Sequence, residues 1–318
     1  MRILRSLEEA RAAGFTRTVV TLGVFDGVHV GHRYVIRDTL SIAAEHAAAS
    51  VVVTFVQHPR AIIAGAAPKL ITPIEHRLRL FAELGVENVL ALTFTDELRR
   101  VPAADFAHEV FEDVLAAQVV VLGHNCRFGR DREGGADWLL ARADEFSFST
   151  VHAEEIRIGS DIVSSTNIRA AIEAGELARA ARMLGRPYAL HGTVVTGQGR
   201  GRQLGFPTAN LDVHHQLRPP RGVYGAEVRG DDGQRRHALV NIGVKPTFDG
   251  GAGEETVEVH LLDFSGDLYG RDLEVVFLTH IREERRFPDL EALRARIARD
   301  RLDFLAFLGA GEAPGKER

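Results

Sequence analysis

The chain has 318 residues, 45% of them apolar and 26% charged, with a formal net charge of −5. This composition fills a sizeable core and excludes disordered and collagen-like chains, the near balance of acidic and basic residues excludes a general polyanion binder, and the length favours two domains. A single cysteine, Cys126, rules out an internally cross-linked secreted scaffold and points to a reducing compartment. The N-terminus carries early charges, and no apolar run approaches 18 residues, so a cytoplasmic protein without membrane association is expected. Lysine occurs only at 69, 245 and 316, which leaves arginine to hold anions.

In chain order, the first half alternates β-branched runs with helical patterns. Strands are predicted at Thr18 to Leu22, Val51 to Phe55, Val89 to Thr93 and Val119 to Leu122, and helices at Arg33 to Ala48, Glu75 to Leu84 and Ala104 to Leu115. Such alternation implies an α/β domain with a parallel sheet, whose ligands sit in the loops beyond the carboxyl ends of the strands. A helix from Thr166 to Leu184 closes this half, stopped by Gly185 and Pro187.

From Tyr188 the pattern becomes strands separated by Gly, Pro and Asp: Tyr188 to Val195, Val223 to Arg229, His237 to Ile242, Thr256 to Leu262 and Leu273 to Ile281. Val257, Val259 and Leu261 show the period of two, which predicts a small antiparallel β-barrel. A final helix over Asp289 to Phe307 packs on it through Leu290, Leu293 and Ile297. The domains are expected to span 1–186 and 187–318.

Beyond Leu22 stands GVFDGVHVGH, residues 23–32, leading directly into a helix. Gly23, Gly27 and Gly31 let backbone approach a phosphate, and the helix start offers unpaired amides and partial positive charge. His29 and His32, three residues apart there, are aimed at the same anion and suit charge building on phosphorus. A plain glycine-rich turn with surface histidines is the alternative.

His29-Val30-Gly31-His32 resembles the HxGH signature of the nucleotidyltransferase superfamily, also present in class I aminoacyl-tRNA synthetases. The longer GVFDGVHVGH resembles the N-terminal module of prokaryotic bifunctional riboflavin kinase/FMN adenylyltransferases. Thr54-Phe55 with His58-Pro59-Arg60, then GHNCRFG at 123–129 and SSTNIR at 164–169, succeed one another in the family's order. The resemblance implies a Rossmann-like nucleotidyltransferase fold in which His29, His32 and Arg169 are catalytic. Gly23, Phe25, Asp26, Gly27, Gly31, Asn125, Ser165 and Thr166 would bind ATP, and Phe55, Pro59 and Phe128 would line the flavin pocket. Ser-Thr before a helix is also an ordinary N-cap. The chain departs from the family at Gln57, His124 and Cys126, changes expected to touch flavin affinity more than chemistry.

The second constellation is GQGRGRQLGFPTAN, residues 197–210. A basic, glycine-rich loop folds over polyphosphate without side-chain clash, and Thr208 and Asn210 offer the neutral hard oxygens that Mg2+ accepts beside phosphate. A glycine-rich hairpin loop is the alternative. The string resembles the riboflavin kinase signature, which implies ATP contacts at Gly199, Gly201, Gly205, Thr208 and Asn210, with Thr208 and Asn210 at the metal. By the same resemblance Glu258, on the face of its strand opposite Val257 and Val259, is the base for the ribityl hydroxyl, though a solvated glutamate fits the pattern too. Arg282 and Phe287 are expected near the flavin; a salt-bridged helix approach is the other reading of that stretch.

Together these imply an enzyme converting riboflavin to FMN and FMN to FAD with ATP and Mg2+. Its partners are expected to be small molecules, without nucleic acid or membrane, and with at most weak homo-oligomerisation. A catalytically inert flavin sensor and an RNA-linked nucleotidyltransferase are the rivals; the latter lacks a KMSKS-like lysine loop and any basic bias.

Overall fold

The computed structural model describes residues 1–63, 67–197, 205–245 and 254–311. It divides into two compact units, residues 1–168 with 183–185, and residues 169–182 with 186–318.

The first unit is built on a six-stranded parallel sheet. Its strands are β1 (Arg2–Leu4), β2 (Thr18–Leu22), β3 (Ala49–Phe55), β4 (Asn88–Leu92), β5 (Ala117–Gly123) and β6 (Ser149–Ala153), in the order β1-β4-β3-β2-β5-β6. All five residues of β2 and of β4 are buried, as expected for strands covered on both faces. Helices α1 (Leu7–Ala12), α2 (Val30–Glu45), α3 (Arg60–Ile63), α4 (Ile74–Glu83), α5 (Asp96–Arg100), α6 (Ala103–Phe106) and α7 (Ala136–Leu140) connect the strands. Beyond Phe106 the helix predicted over Ala104 to Leu115 widens into a π-helix, Ala107–Val114. Strand order reverses at β2, which pairs with β3 on one side and β5 on the other. In an open sheet that reversal leaves a crevice at the carboxyl ends, and it brings the loop after Leu22 beside the loop after Gly123. Edge strands β1 and β6 carry too few apolar residues to stand out in the sequence.

A short hairpin comes next, β7 (Arg157–Ile158) with β8 (Asp161–Ile162). The helix predicted over Thr166 to Leu184 is in fact two, α8 (Ser165–Glu173) and α9 (Leu177–Leu184). Gly175 takes φ +76° between them, a left-handed conformation that ends a helix at low cost only for glycine. Gly185, at φ +70°, ends the second as predicted.

The second unit holds a closed antiparallel barrel of β9 (Ala189–Val195), β10 (Ala209–Asp212), β11 (Gly222–Gly230), β12 (Arg235–Lys245), β13 (Glu254–Leu261) and β14 (Asp272–Arg282), in the order β10-β13-β12-β11-β14-β9. Of these strands, β10 alone escaped prediction; four residues after a Pro-Thr turn show no alternation to detect. The C-terminal helix α10 (Leu290–Gly311) packs on the barrel through Phe304, which is wholly buried with Leu239 and Leu262. Phe304 lies where a side chain at Gly225 of β11 would stand, so the helix seats on bare backbone.

Candidate active sites

The loop after β2 is held in an unusual shape. Phe25 and Val28 take φ of 52° and 40°, left-handed values that cost a β-branched or bulky residue on the order of 1–3 kcal/mol each. The compensation comes from residues 71–77. Asp26, 1% exposed, accepts from the backbone N–H of Ile71 (3.0 Å) and Thr72 (2.9 Å), and the Gly27 N–H donates to the Thr72 hydroxyl (2.9 Å). Wholly buried Arg77 donates to the carbonyls of Val24 and Phe55 and to the Thr54 hydroxyl, tying the ends of β2 and β3 together. Burial lowers the Arg77 pKa, with Asp26 opposing that shift.

His29 is the N-cap of α2. Its Nδ1 accepts from the His32 N–H at 3.2 Å, so the neutral ring carries its proton on Nε2. The two imidazoles stack with centroids 3.4 Å apart and planes 18° from parallel, while Phe25 meets His32 edge-on at 5.2 Å. A Cβ at Gly31 would press on the His29 ring at 3.3 Å. The spacing thus delivers what it predicts: two rings and a helix N-terminus at one point of the crevice.

The other sequence-predicted residues divide into three kinds. Asn125 and Thr166 are exposed, and Gly23, Gly31 and Pro59 are half-buried around the strand ends. Ser165 opens α8 and donates from its hydroxyl to the Asp26 carbonyl at 2.8 Å, which fastens the SSTNIR segment to the β2 loop. The Asp26 carboxylate and the Phe25 ring point inward, as does Phe128, which is 6% exposed among Phe106, Phe111 and Trp138. Phe55, 8% exposed, meets Phe94 edge-on. Arg169 is half-buried and falls within the second unit. Cys126 donates from Sγ to the Leu22 carbonyl at 3.1 Å, so the thiol joins the β5 loop to the end of β2, and burial pushes its pKa up to about 12.

In the barrel, register assembles the second site. Asn210 of β10 stands opposite Glu258 of β13, and Glu258 stands opposite Asn241 of β12. Directly opposed residues share a face. Val257 and Val259 point into the barrel at 1% exposure each, so the row Asn210, Glu258, Asn241 lies outside, all three half-buried. Two residues along the same face, His260 Nδ1 lies 2.9 Å from the Pro207 carbonyl, and its ring meets Phe206 edge-on, which fixes the Pro-Thr turn carrying Thr208. The Asn210 amide occupies the space a side chain at Gly197 would need. Gly205, φ +81°, is exposed; Gly199 and Gly201 lie outside the described residues.

Beyond β14, Arg282 and Arg285 place their guanidinium carbons 5.5 and 5.0 Å from the Phe287 ring. The Glu284 carboxylate reaches over Gly243, beside the Asn241 amide. A cavity of about 490 Å3 is lined in part by Arg221, Tyr224, His280, Glu283 and Glu284. The Tyr224 hydroxyl donates to the Pro220 carbonyl at 2.6 Å, and burial pushes its pKa up to about 12.

Sequence reasoning missed Arg77, Thr72 and His260; it marked the segments holding Asn241 and Glu284 as family-like and expected the second near the flavin, without giving either residue a role. His260 had a signal, the period of two with Glu258. Arg77 had none, because it occupies the buried side of α4 alongside Leu80 and Phe81.

A parallel sheet with HxGH at its reversal point and a barrel with PTAN opposite a carboxylate define a two-part transferase of phosphoryl-type groups. The comparisons agree in both halves: residues 12–167 match the FAD synthetase family model and 184–308 the riboflavin kinase model. The chain belongs to the bifunctional riboflavin kinase/FMN adenylyltransferase family. It is 36% identical to the Escherichia coli K12 member over 310 residues, covering 97% of this chain and 98% of that one. Identity to the Pseudomonas fluorescens member is 38% over 300 residues, covering 94% and 96%. A crystal structure from Streptococcus pneumoniae, described as a macrolide-efflux protein, superposes with a TM-score of 0.82 at 28% identity over 95% of this chain and 98% of that one. No helix among the described residues here is long and apolar enough to cross a membrane.

Proposed function

We propose that each half of the chain carries one step of FAD synthesis, with adenylyl transfer in residues 1–186 and riboflavin phosphorylation in 187–318. In the barrel, the riboflavin 5′-hydroxyl oxygen attacks the γ-phosphorus of ATP, Glu258 accepts the hydroxyl proton, and ADP leaves with FMN formed. The FMN phosphate oxygen then attacks the α-phosphorus of a second ATP in the sheet crevice. The bond to the β-phosphate breaks and pyrophosphate departs as FAD forms. His29 and His32 stabilise the charge on the reacting phosphate, together with the amides opening α2, and no covalent nucleophile is used. Ser165, Thr166 and Asn125 hold the ATP of this step, and Phe55 and Pro59 hold the flavin.

Thr208 and Asn210 are suited to Mg2+ by donor chemistry, two neutral oxygens beside the Glu258 carboxylate, and they would hold it at the kinase site. There the ion supplies charge neutralisation along the polyphosphate. The compartment is proposed to be the cytoplasm, the single cysteine fitting a reducing milieu.

The observation that carries this reading is the register-aligned row Asn210, Glu258 and Asn241 in one unit, with the stacked His29 and His32 at a helix start in the other. A chromatographic time course of riboflavin with ATP and Mg2+ tests it. FMN should rise first and FAD should come after it. FMN alone would overturn the assignment of the sheet crevice, and flavin bound without turnover would favour the sensor.

A further inference from the structure

Asp300 lies on α10, 1% exposed, and is not among the reacting or ligand-holding groups of either step. It receives four contacts from two arginines. Arg282 Nε lies 3.0 Å from both carboxylate oxygens and its Nη2 lies 2.9 Å from Oδ2, while Arg296 Nε donates to Oδ1 at 2.8 Å. The Arg282 fork is therefore locked in one orientation, with Nη1 also donating to the Glu283 carbonyl at 3.0 Å. The same guanidinium lies over Phe287. The strand end, the segment 282–287 and the C-terminal helix thus converge on a single buried carboxylate. A buried charge is retained at such a place only when it is fully paired, and breaking the pair leaves an uncompensated charge. The segment it anchors also carries Glu284 over Gly243, beside the row that contains Glu258.

We infer that Asp300 is a positioning residue for riboflavin in the kinase step: it sets Arg282, and through Arg282 the flavin-facing edge formed with Phe287. This rests on the reading that segment 282–287 faces the flavin. It assigns the C-terminal helix a part in substrate recognition as well as in covering the barrel.

The test is steady-state kinase kinetics on the full chain, varying riboflavin and ATP separately, with FAD formation from supplied FMN measured on the same preparations. Asp300→Asn should raise the riboflavin KM by roughly ten- to a hundredfold, the scale on which misplacing a binding group acts. The ATP KM and kcat should stay within about threefold and FMN adenylylation should be unchanged, a split that general loosening of the barrel would not produce. Asp300→Glu should recover part of the loss. Arg282→Lys keeps the buried charge pair but not the fork, so it serves if Asp300→Asn fails to fold; it should lose riboflavin affinity nearly as fully as Arg282→Gln. Wild-type riboflavin KM in Arg282→Gln would remove the flavin-facing reading and the inference with it. A raised KM in Arg282→Gln beside a wild-type KM in folded Asp300→Asn, or a wild-type KM in Arg282→Lys, would overturn the role of Asp300 alone.

Discussion

The Cys126 thiol donates to the carbonyl at the end of β2, a structural task that needs no reactivity. With its pKa pushed up to about 12, the thiolate appears only as the pH approaches that value. Against an ordinary thiol near 9, the thiolate fraction at pH 8 falls roughly a thousandfold. Reaction with an aromatic disulfide reagent on the native protein should be slower by that order and should climb through pH 8–10 without a plateau; rapid labelling at pH 8 would show the thiol to be accessible. Gly243 makes the complementary point in the barrel. A methyl there meets the Glu284 carboxylate, so Gly243→Ala should displace Glu284 and reduce kinase turnover while FMN adenylylation holds, a difference a two-substrate assay reads directly.

At the scale of elements, each site is made by one local device fixed by a distant one. The β2 loop supplies the histidines, but the start of α4 and the residues just before it hold its left-handed Phe25 and Val28 in place through Asp26 and Arg77. Helix α10 is seated by Phe304 over Gly225. Phe304→Ala should cost the barrel about 3–5 kcal/mol, the usual loss for a buried phenylalanine, read as a lower denaturant midpoint for the kinase unit. An unchanged midpoint would show that α10 is dispensable for barrel stability.

For the molecule as a whole, two sites in two units predict separable losses. His29→Ala should lower FAD formation by about 10²–10³-fold, as removal of one charge-stabilising donor does elsewhere, while FMN production persists. Glu258→Ala should lower FMN formation by about 10²–10⁴-fold and leave supplied FMN convertible to FAD. Both products assayed on each folded variant decide this; loss of both in either one would merge the sites.

The sequence by itself determined the alternation of strand and helix, the switch to a barrel at Tyr188, and the motifs that carry the family resemblance, because periodicity and glycine-rich turns are local and the motifs are contiguous. Tertiary structure alone decided that α8 and α9 are separate, that Asp26 and Phe128 face inward, and that Asn241 and Glu284 join Glu258. Those outcomes depend on which backbone groups need a partner once buried, and on which strands become neighbours. Residues far apart along the chain meet there, where no local pattern records them.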